Sequence, residues 1–170
     1  MNEEEYIRKD RLRFTKNSLA STLAIVAIVF NVLYFLNIYK SDVNHNVGNF
    51  YYQIRIGGSI ILNLLFMLAA FLSSEGVKNY KIGYAYVLAC LGVLQIVRIF
   101  ILPMQAHNAV VTVGGVETVV MGNGQFIRVI LYLVGSAACL IAAAVINLRK
   151  CKVLEEHANA MKSRNAKEAA

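Results

Sequence analysis

The chain has 170 residues, of which 58% are hydrophobic and 16% charged, and its net charge is +7. A soluble domain of this size needs more polar residues at its surface, so the composition argues against a soluble protein. The basic residues flank apolar segments and leave no soluble domain to present to a duplex. We therefore expect no nucleic-acid partner, and we expect the basic tails to meet the anionic head groups of a lipid bilayer.

Four apolar stretches are each long enough to cross a membrane, because about 20 helical residues at 1.5 Å each span roughly 30 Å of hydrocarbon. They lie at residues 18–39, 56–74, 82–102 and 126–148. We predict an all-α membrane protein, a four-helix transmembrane bundle that forms one domain over residues 1–150 and carries a basic cytoplasmic tail at 151–170. The first stretch is too long for the apolar part of a signal peptide, so we expect an uncleaved anchor.

Lysine and arginine are distributed unevenly between the segments that the stretches separate. Five precede the first stretch, two lie between the second and third, and six follow the fourth. Four crossings place these three segments on one side, and the other side has only Lys40 and Arg55. The positive-inside rule then puts both termini in the cytoplasm. We expect the cell membrane or an inner membrane.

Three connecting segments complete the predicted topology. We predict a loop at 40–53 that ends in aromatic residues, and a very short loop at 75–81 that makes the second and third helices antiparallel neighbours. A longer loop is predicted at 103–125. Within it, β-branched runs flank Gly114 and Gly115, a pattern typical of a two-residue hairpin turn.

We therefore predict a short extracytoplasmic β-hairpin between the third and fourth helices, with Val113 opposite Val116. An isolated ribbon of two strands is marginal in water. We expect this one either to cover its own bundle or to dock on a partner.

Small and polar residues recur at helical spacing in each stretch. Small residues let helices approach closely in lipid, and polar ones bond across the gap, so we expect these stripes to face the bundle interior. The stripe of the first stretch is Ala20, Ala24, Ala27, Asn31 and Tyr34. The stripe of the fourth stretch is Arg128, Tyr132, Gly135, Cys139 and Ala142.

The strongly polar residues of the crossings concentrate in the half nearer the outer side, and they are the candidate ligand-binding residues. They are Asn31, Asn63, Gln95, Arg98, Arg128 and Tyr132. Two guanidinium groups with no carboxylate in any crossing suit an anion: a lipid phosphate, a ligand carboxylate or a partner's acidic side chain. Alternatively, the amides bond to one another and both arginines extend to the outer head groups.

Catalytic motifs are missing from the sequence. There is no pair of nucleophile and base, no Walker loop and no dinucleotide glycine pattern, so we expect no enzymatic activity, no cofactor and no metal. These features favour a small multi-pass membrane protein that acts as an accessory or structural subunit, with a membrane-protein partner or a second copy of itself. The alternative is a small carrier, channel or binder of an anionic or amphiphilic ligand. We expect Cys151 to be an unmodified thiol rather than an acylated one.

Overall fold

The computed structural model describes residues 16–38, 50–108, 110–113, 116–119 and 121–168. Within these ranges the chain forms five helices and one two-stranded sheet. In chain order they are α1 (Ser18–Ile38), α2 (Phe50–Lys78), α3 (Ile82–Ile101), α4 (Pro103–Asn108), β1 (Val110–Val113), β2 (Val116–Val119) and α5 (Asn123–Glu168).

Four helical segments are long and apolar enough to cross a membrane. They are Ser18–Ile38, Gly57–Lys78, Ile82–Asn108 and Asn123–His157. Each coincides with one of the predicted stretches, so the prediction of four apolar helices is confirmed. By length and composition the chain is a multi-pass helical membrane protein.

Helix α2 extends beyond the predicted crossing at both ends. It begins at Phe50, where we predicted a loop through Gln53, and it ends at Lys78, inside the predicted loop 75–81. Hydropathy marks where side chains become polar, but a helix continues as long as its backbone bonds are made. No proline or glycine interrupts the sequence from Phe50 to Ile56.

The segment after α3 also contains more helix than we predicted. Pro103 begins the short helix α4, because a missing N–H costs nothing at the first helical position. The carbonyl of Gly122 accepts the N–H groups of Gln125 and Phe126, each at 3.0 Å. As a result α5 begins at Asn123, before the predicted crossing.

The turn between α2 and α3 is fixed by backbone hydrogen bonds, and we call this side of the bundle the turn end. Lys81 N–H donates to the carbonyl of Gly76 at 3.2 Å, and Tyr80 N–H donates to that of Val77 at 3.1 Å. Tyr80 has a φ of 57°, so the helix closes in a Schellman motif with a tyrosine at the left-handed position. Gly76 is needed here, because a Cβ at this position would overlap the Tyr84 ring.

The opposite side of the bundle carries α4 and the two strands, and we call it the ribbon end. β1 and β2 pair antiparallel, with Val110 opposite Val119 and Val113 opposite Val116. Next to the strands, the His107 ring stacks on Phe126 with 4.2 Å between ring centroids.

Helix α5 is the centre of the bundle. It packs along α1 and α3, whereas α2 packs on α1 and makes a smaller contact with α3. The buried apolar residues form two cores. The core nearer the turn end includes Ala20, Ala24, Phe66, Leu88, Leu140 and Ala143, and the core nearer the ribbon end consists of Tyr34, Ile38, Met121, Val129 and Leu133. A layer of polar side chains lies between them.

Candidate functional site

Four helices each contribute one buried polar side chain to this layer. Asn31 of α1, Asn63 of α2, Gln95 of α3 and Ser136 of α5 are all fully buried. We call these four residues the amide layer. Because a buried polar group without a partner is costly in lipid, such residues are expected to bond to one another.

The amide layer is connected by hydrogen bonds that cross between helices. Asn31 Nδ2 donates to Asn63 Oδ1 at 3.1 Å. Gln95 Nε2 donates to Asn31 Oδ1 at 3.1 Å and to Ser136 Oγ at 3.0 Å. Ser136 Oγ in turn donates to the carbonyl of Ala27 at 3.0 Å. One network therefore links all four membrane-crossing helices.

The guanidinium of Arg98 lies against this network. Its Nη1 donates to Asn31 Oδ1 at 3.2 Å and to Gln95 Oε1 at 3.0 Å, and its Nη2 donates to Asn63 Oδ1 at 2.7 Å. The Arg98 Cζ also lies 4.7 Å from the centre of the Tyr34 ring and 5.5 Å from that of Phe66. Arg98 thus turns into the bundle, although it is only three residues from the end of α3.

Donors outnumber acceptors in this site. The oxygens of Asn31 and Asn63 each accept two hydrogen bonds, and that of Gln95 accepts one. Within the described part of the chain, Asn63 Nδ2 is buried without a hydrogen-bond partner. Arg98 carries five N–H groups and uses three of them in the contacts above. The site therefore has capacity for a further acceptor.

The positive charge of Arg98 has no counter-ion from the crossings. The four predicted crossings contain no aspartate and no glutamate, and the glutamates of the longer helical segments, Glu75, Glu155 and Glu156, lie beyond those crossings. The ion pair of Lys78 with Glu75, at 3.1 Å, lies at the turn end of α2. A cation without a partner charge is costly inside a membrane, so an anionic ligand would interact favourably here.

Arg98 is also reached from outside the bundle, through a groove between α2 and α3. The groove has a volume of about 620 Å³, and Arg98 forms part of its wall. Most of the wall is apolar, and the lining side chains of Leu62, Leu65 and Leu94 are 68%, 56% and 46% exposed. The groove is therefore open on the apolar outer surface of the bundle.

The structure brings together four of the six candidate residues: Asn31, Asn63, Gln95 and Arg98. Arg128 is exposed near the ribbon end, where its Nε donates to the carbonyl of Gly124 in its own helix at 3.1 Å. Tyr132 is half-buried and packs beside the core nearer the ribbon end. These contacts of Arg128 and Tyr132 lie outside the amide layer.

The predicted stripe of α5 is wrong by one residue. The buried positions of this helix include Val129, Leu133, Ser136 and Leu140, whereas Arg128 is exposed and Tyr132 half-buried. Small residues occur on both neighbouring faces of α5, so they did not identify the inner one. Our prediction therefore missed Ser136, although its spacing of seven residues from Val129 is a helical signal.

Tyr34 and Phe66 are the other members of the site that we did not propose as ligand-binding residues. Both rings lie against the guanidinium. Tyr34 is on the predicted inner stripe of α1, so its burial was expected, but its contact with Arg98 depends on the side-chain direction of a residue in another helix.

A second group of polar contacts joins the helices at the turn end. Asn17 Nδ2 donates to Asn147 Oδ1 at 3.0 Å, and Lys150 Nζ donates to Asn17 Oδ1 at 3.1 Å. The buried thiol of Cys151 donates to the carbonyl of Tyr80 at 3.1 Å. Burial raises the pKa of the Tyr80 hydroxyl, and the nearby Cys151 adds to this effect. These contacts hold the start of α1, the turn and α5 together.

In the ranges that the structure describes, no group of three His, Cys, Asp or Glu side chains is placed to hold a metal ion. Comparison with protein-family models, with curated proteins and with solved structures gives no match to this chain.

Proposed function

We propose that this membrane protein binds an anionic ligand at Arg98, inside its four-helix bundle. The observation that carries the proposal is a cation held by three amide oxygens with no carboxylate in the crossings. A monoanion beside Arg98 would neutralise the charge and accept from the unpaired Asn63 Nδ2. The amide layer would hold the guanidinium in place before the ligand arrives, which lowers the entropic cost of binding.

The site also has a proposed orientation. Thirteen of the seventeen lysines and arginines lie in three segments: before α1, between the second and third predicted crossings, and after residue 148. This distribution supports a cytoplasmic location for both termini. Arg98 would then lie in the outer half of the membrane, below the ribbon. A reporter enzyme that is active only in the cytoplasm is expected to be active at either terminus; activity only with a periplasmic or extracellular reporter would contradict the orientation.

Replacement of Arg98 tests the binding site. Anionic amphiphiles should raise the Tm of the purified wild-type protein, because a ligand at 100 times its Kd adds about 2.7 kcal/mol, or about 5 to 10 °C for a chain of this size. Arg98→Leu should abolish this shift. Neutral amphiphiles of the same chain length should give no Arg98-dependent shift in either protein.

Arg128 provides the matched control, because it is the other arginine within a predicted crossing and lies away from the amide layer. Arg128→Leu should keep the full ligand-dependent shift. If Arg98→Leu kept the shift as well, or if no anionic amphiphile stabilised the wild-type protein, the proposed site would be wrong.

A second candidate function is that of an accessory or structural subunit. It is supported by the length of α5, which continues as helix to Glu168, about 30 Å beyond Leu148. Single helices of this kind are marginal in water, and Val153 on it is 47% exposed, which favours a partner protein or a second copy. Extraction in a mild detergent should then yield a complex of this chain with a partner protein or with a second copy. A protein that is monomeric under all conditions would contradict the subunit function.

A further inference from the structure

We infer that the ligand is a single-chain carboxylic acid from the bilayer, whose apolar chain lies in the groove between α2 and α3. This inference rests on the proposed function, since the carboxylate would be the anion at Arg98. It adds the chemical class of the ligand, the path of its chain and the side from which it enters.

The position of Arg98 along the groove sets the path of the chain. The apolar lining lies on both sides of Arg98: Leu91, Leu94, Leu65 and Ala69 toward the turn end, and Ile54, Gly58 and Ile101 toward the ribbon end. Measured along α2 from Ile54 to Ala69, the groove is about 22 Å long. The chain of an amphiphile whose head group binds Arg98 would bend at the head group, fill the groove and contact both parts of its wall.

The size of the groove favours a ligand with one chain. At about 30 Å³ for each non-hydrogen atom, a volume of 620 Å³ holds roughly 20 such atoms. A fatty acid of sixteen to eighteen carbons matches that figure. A diacyl phospholipid would have to leave a large part of its mass outside the groove.

The donors around Arg98 favour a carboxylate as the head group. In the described part of the chain, two kinds of donor at this site lack a hydrogen-bond partner. They are Asn63 Nδ2 and the N–H groups of Arg98 that do not bond to Asn31, Asn63 or Gln95. Two carboxylate oxygens match this small set, and the single charge neutralises one guanidinium. A phospholipid phosphodiester carries the same single charge, but its second, polar substituent would have to lie against a wall that is mostly apolar.

Two adjacent glycines allow the groove to be blocked without touching the amide layer. Gly58 lines the groove and Gly57 does not, and a Cβ added to either would meet nothing within 4 Å. Both lie in α2, so the same substitution changes helix propensity equally. We expect Gly58→Leu to weaken the binding of hexadecanoic acid at least tenfold and Gly57→Leu to change it less than twofold.

A fluorescence measurement locates the chain directly. The protein has no tryptophan, so a single introduced one is a unique reporter. Leu94 lies in the groove next to Gln95, and Val32 is exposed on α1 next to Asn31, the hydrogen-bond partner of Gln95. Brominated hexadecanoic acid should quench the fluorescence of the Leu94→Trp variant in a saturable manner that is lost when Arg98→Leu is added. Quenching of the Val32→Trp variant should increase only in proportion to the total quencher in the micelle.

The outcomes separate this inference from the proposed function. Arg98-dependent stabilisation together with equal effects of Gly58→Leu and Gly57→Leu would overturn the groove inference and leave anion binding intact. Tighter Arg98-dependent binding of phosphatidylglycerol than of hexadecanoic acid would overturn the single-chain carboxylate. Co-purification of a membrane helix that excludes the fatty acid from the groove would overturn a lipid occupant. If no anion showed binding that depends on Arg98, both proposals would be wrong.

Discussion

Replacement of Asn31 by alanine should destabilise the protein more than any other single change in the amide layer. Asn31 accepts from Gln95 and Arg98 and donates to Asn63, so it joins α1 to two neighbouring helices, α2 and α3. Its removal leaves donors in a buried site without a partner. At about 1–3 kcal/mol for each unsatisfied group and about 0.6 for each interhelical bond in lipid, we expect a loss of about 2–4 kcal/mol.

Asn37→Ala is the matched control for this prediction. Asn37 lies in the same helix, and its side chain donates only to the carbonyl of Leu33 one turn earlier, at 2.8 Å. We expect a change below about 1 kcal/mol, measured by unfolding in mixed micelles. A double-mutant cycle of Asn31→Ala with Arg98→Leu should be less than additive, because the two residues share a contact. Full additivity, or equal effects at Asn31 and Asn37, would contradict the network.

A carboxylate built into the groove should replace the ligand. Ser59 lines the same groove as Arg98 and is half-buried, so we expect a glutamate there to pair with the guanidinium. We expect Ser59→Glu to reduce the affinity for anionic amphiphiles at least tenfold, which corresponds to about 1.4 kcal/mol, because the internal charge occupies the site. Combination with Arg98→Leu should leave the glutamate without a partner and destabilise the protein.

Ser59→Gln separates charge from size in this experiment. The glutamine fills nearly the same volume without a negative charge, so we expect it to retain most of the anion-dependent rise in Tm. Equal loss of binding in the glutamate and glutamine variants would show that a larger side chain at position 59 blocks the groove by its size and not by its charge. Unchanged binding in Ser59→Glu would argue that the ligand does not approach Arg98 from the groove.

The helices could be predicted from the sequence because an apolar run of about 20 residues is typical of a membrane-crossing helix. The inner face of α1 was also predictable. All five residues of its stripe, from Ala20 to Tyr34, are buried, since they are the small and polar positions in an otherwise bulky helix. In α5 the same reasoning failed. Gly135, Cys139 and Ala142 are as small as Ala137 and Ala143, so residue size did not distinguish two adjacent faces.

The amide layer was partly predictable. Asn31, Asn63 and Gln95 lie at similar distances from the middle of their helices, and this spacing predicts that they share one layer. The direction of Arg98 could not be predicted from spacing. An arginine one turn from a helix end can extend to the interface or turn inward, and here three amide oxygens on three helices hold it inside.

The most direct test of the central claim is native mass spectrometry of the protein extracted from its own membrane. We predict a bound species of lipid mass, removable by acid and identified as a single-chain carboxylic acid, on the wild-type protein and on Arg128→Leu. We predict its absence from Arg98→Leu, provided that the variant is folded. Wild-type protein that carries no anionic lipid, or Arg98→Leu that carries as much as wild type, would contradict the claim that Arg98 binds an anion within the bundle.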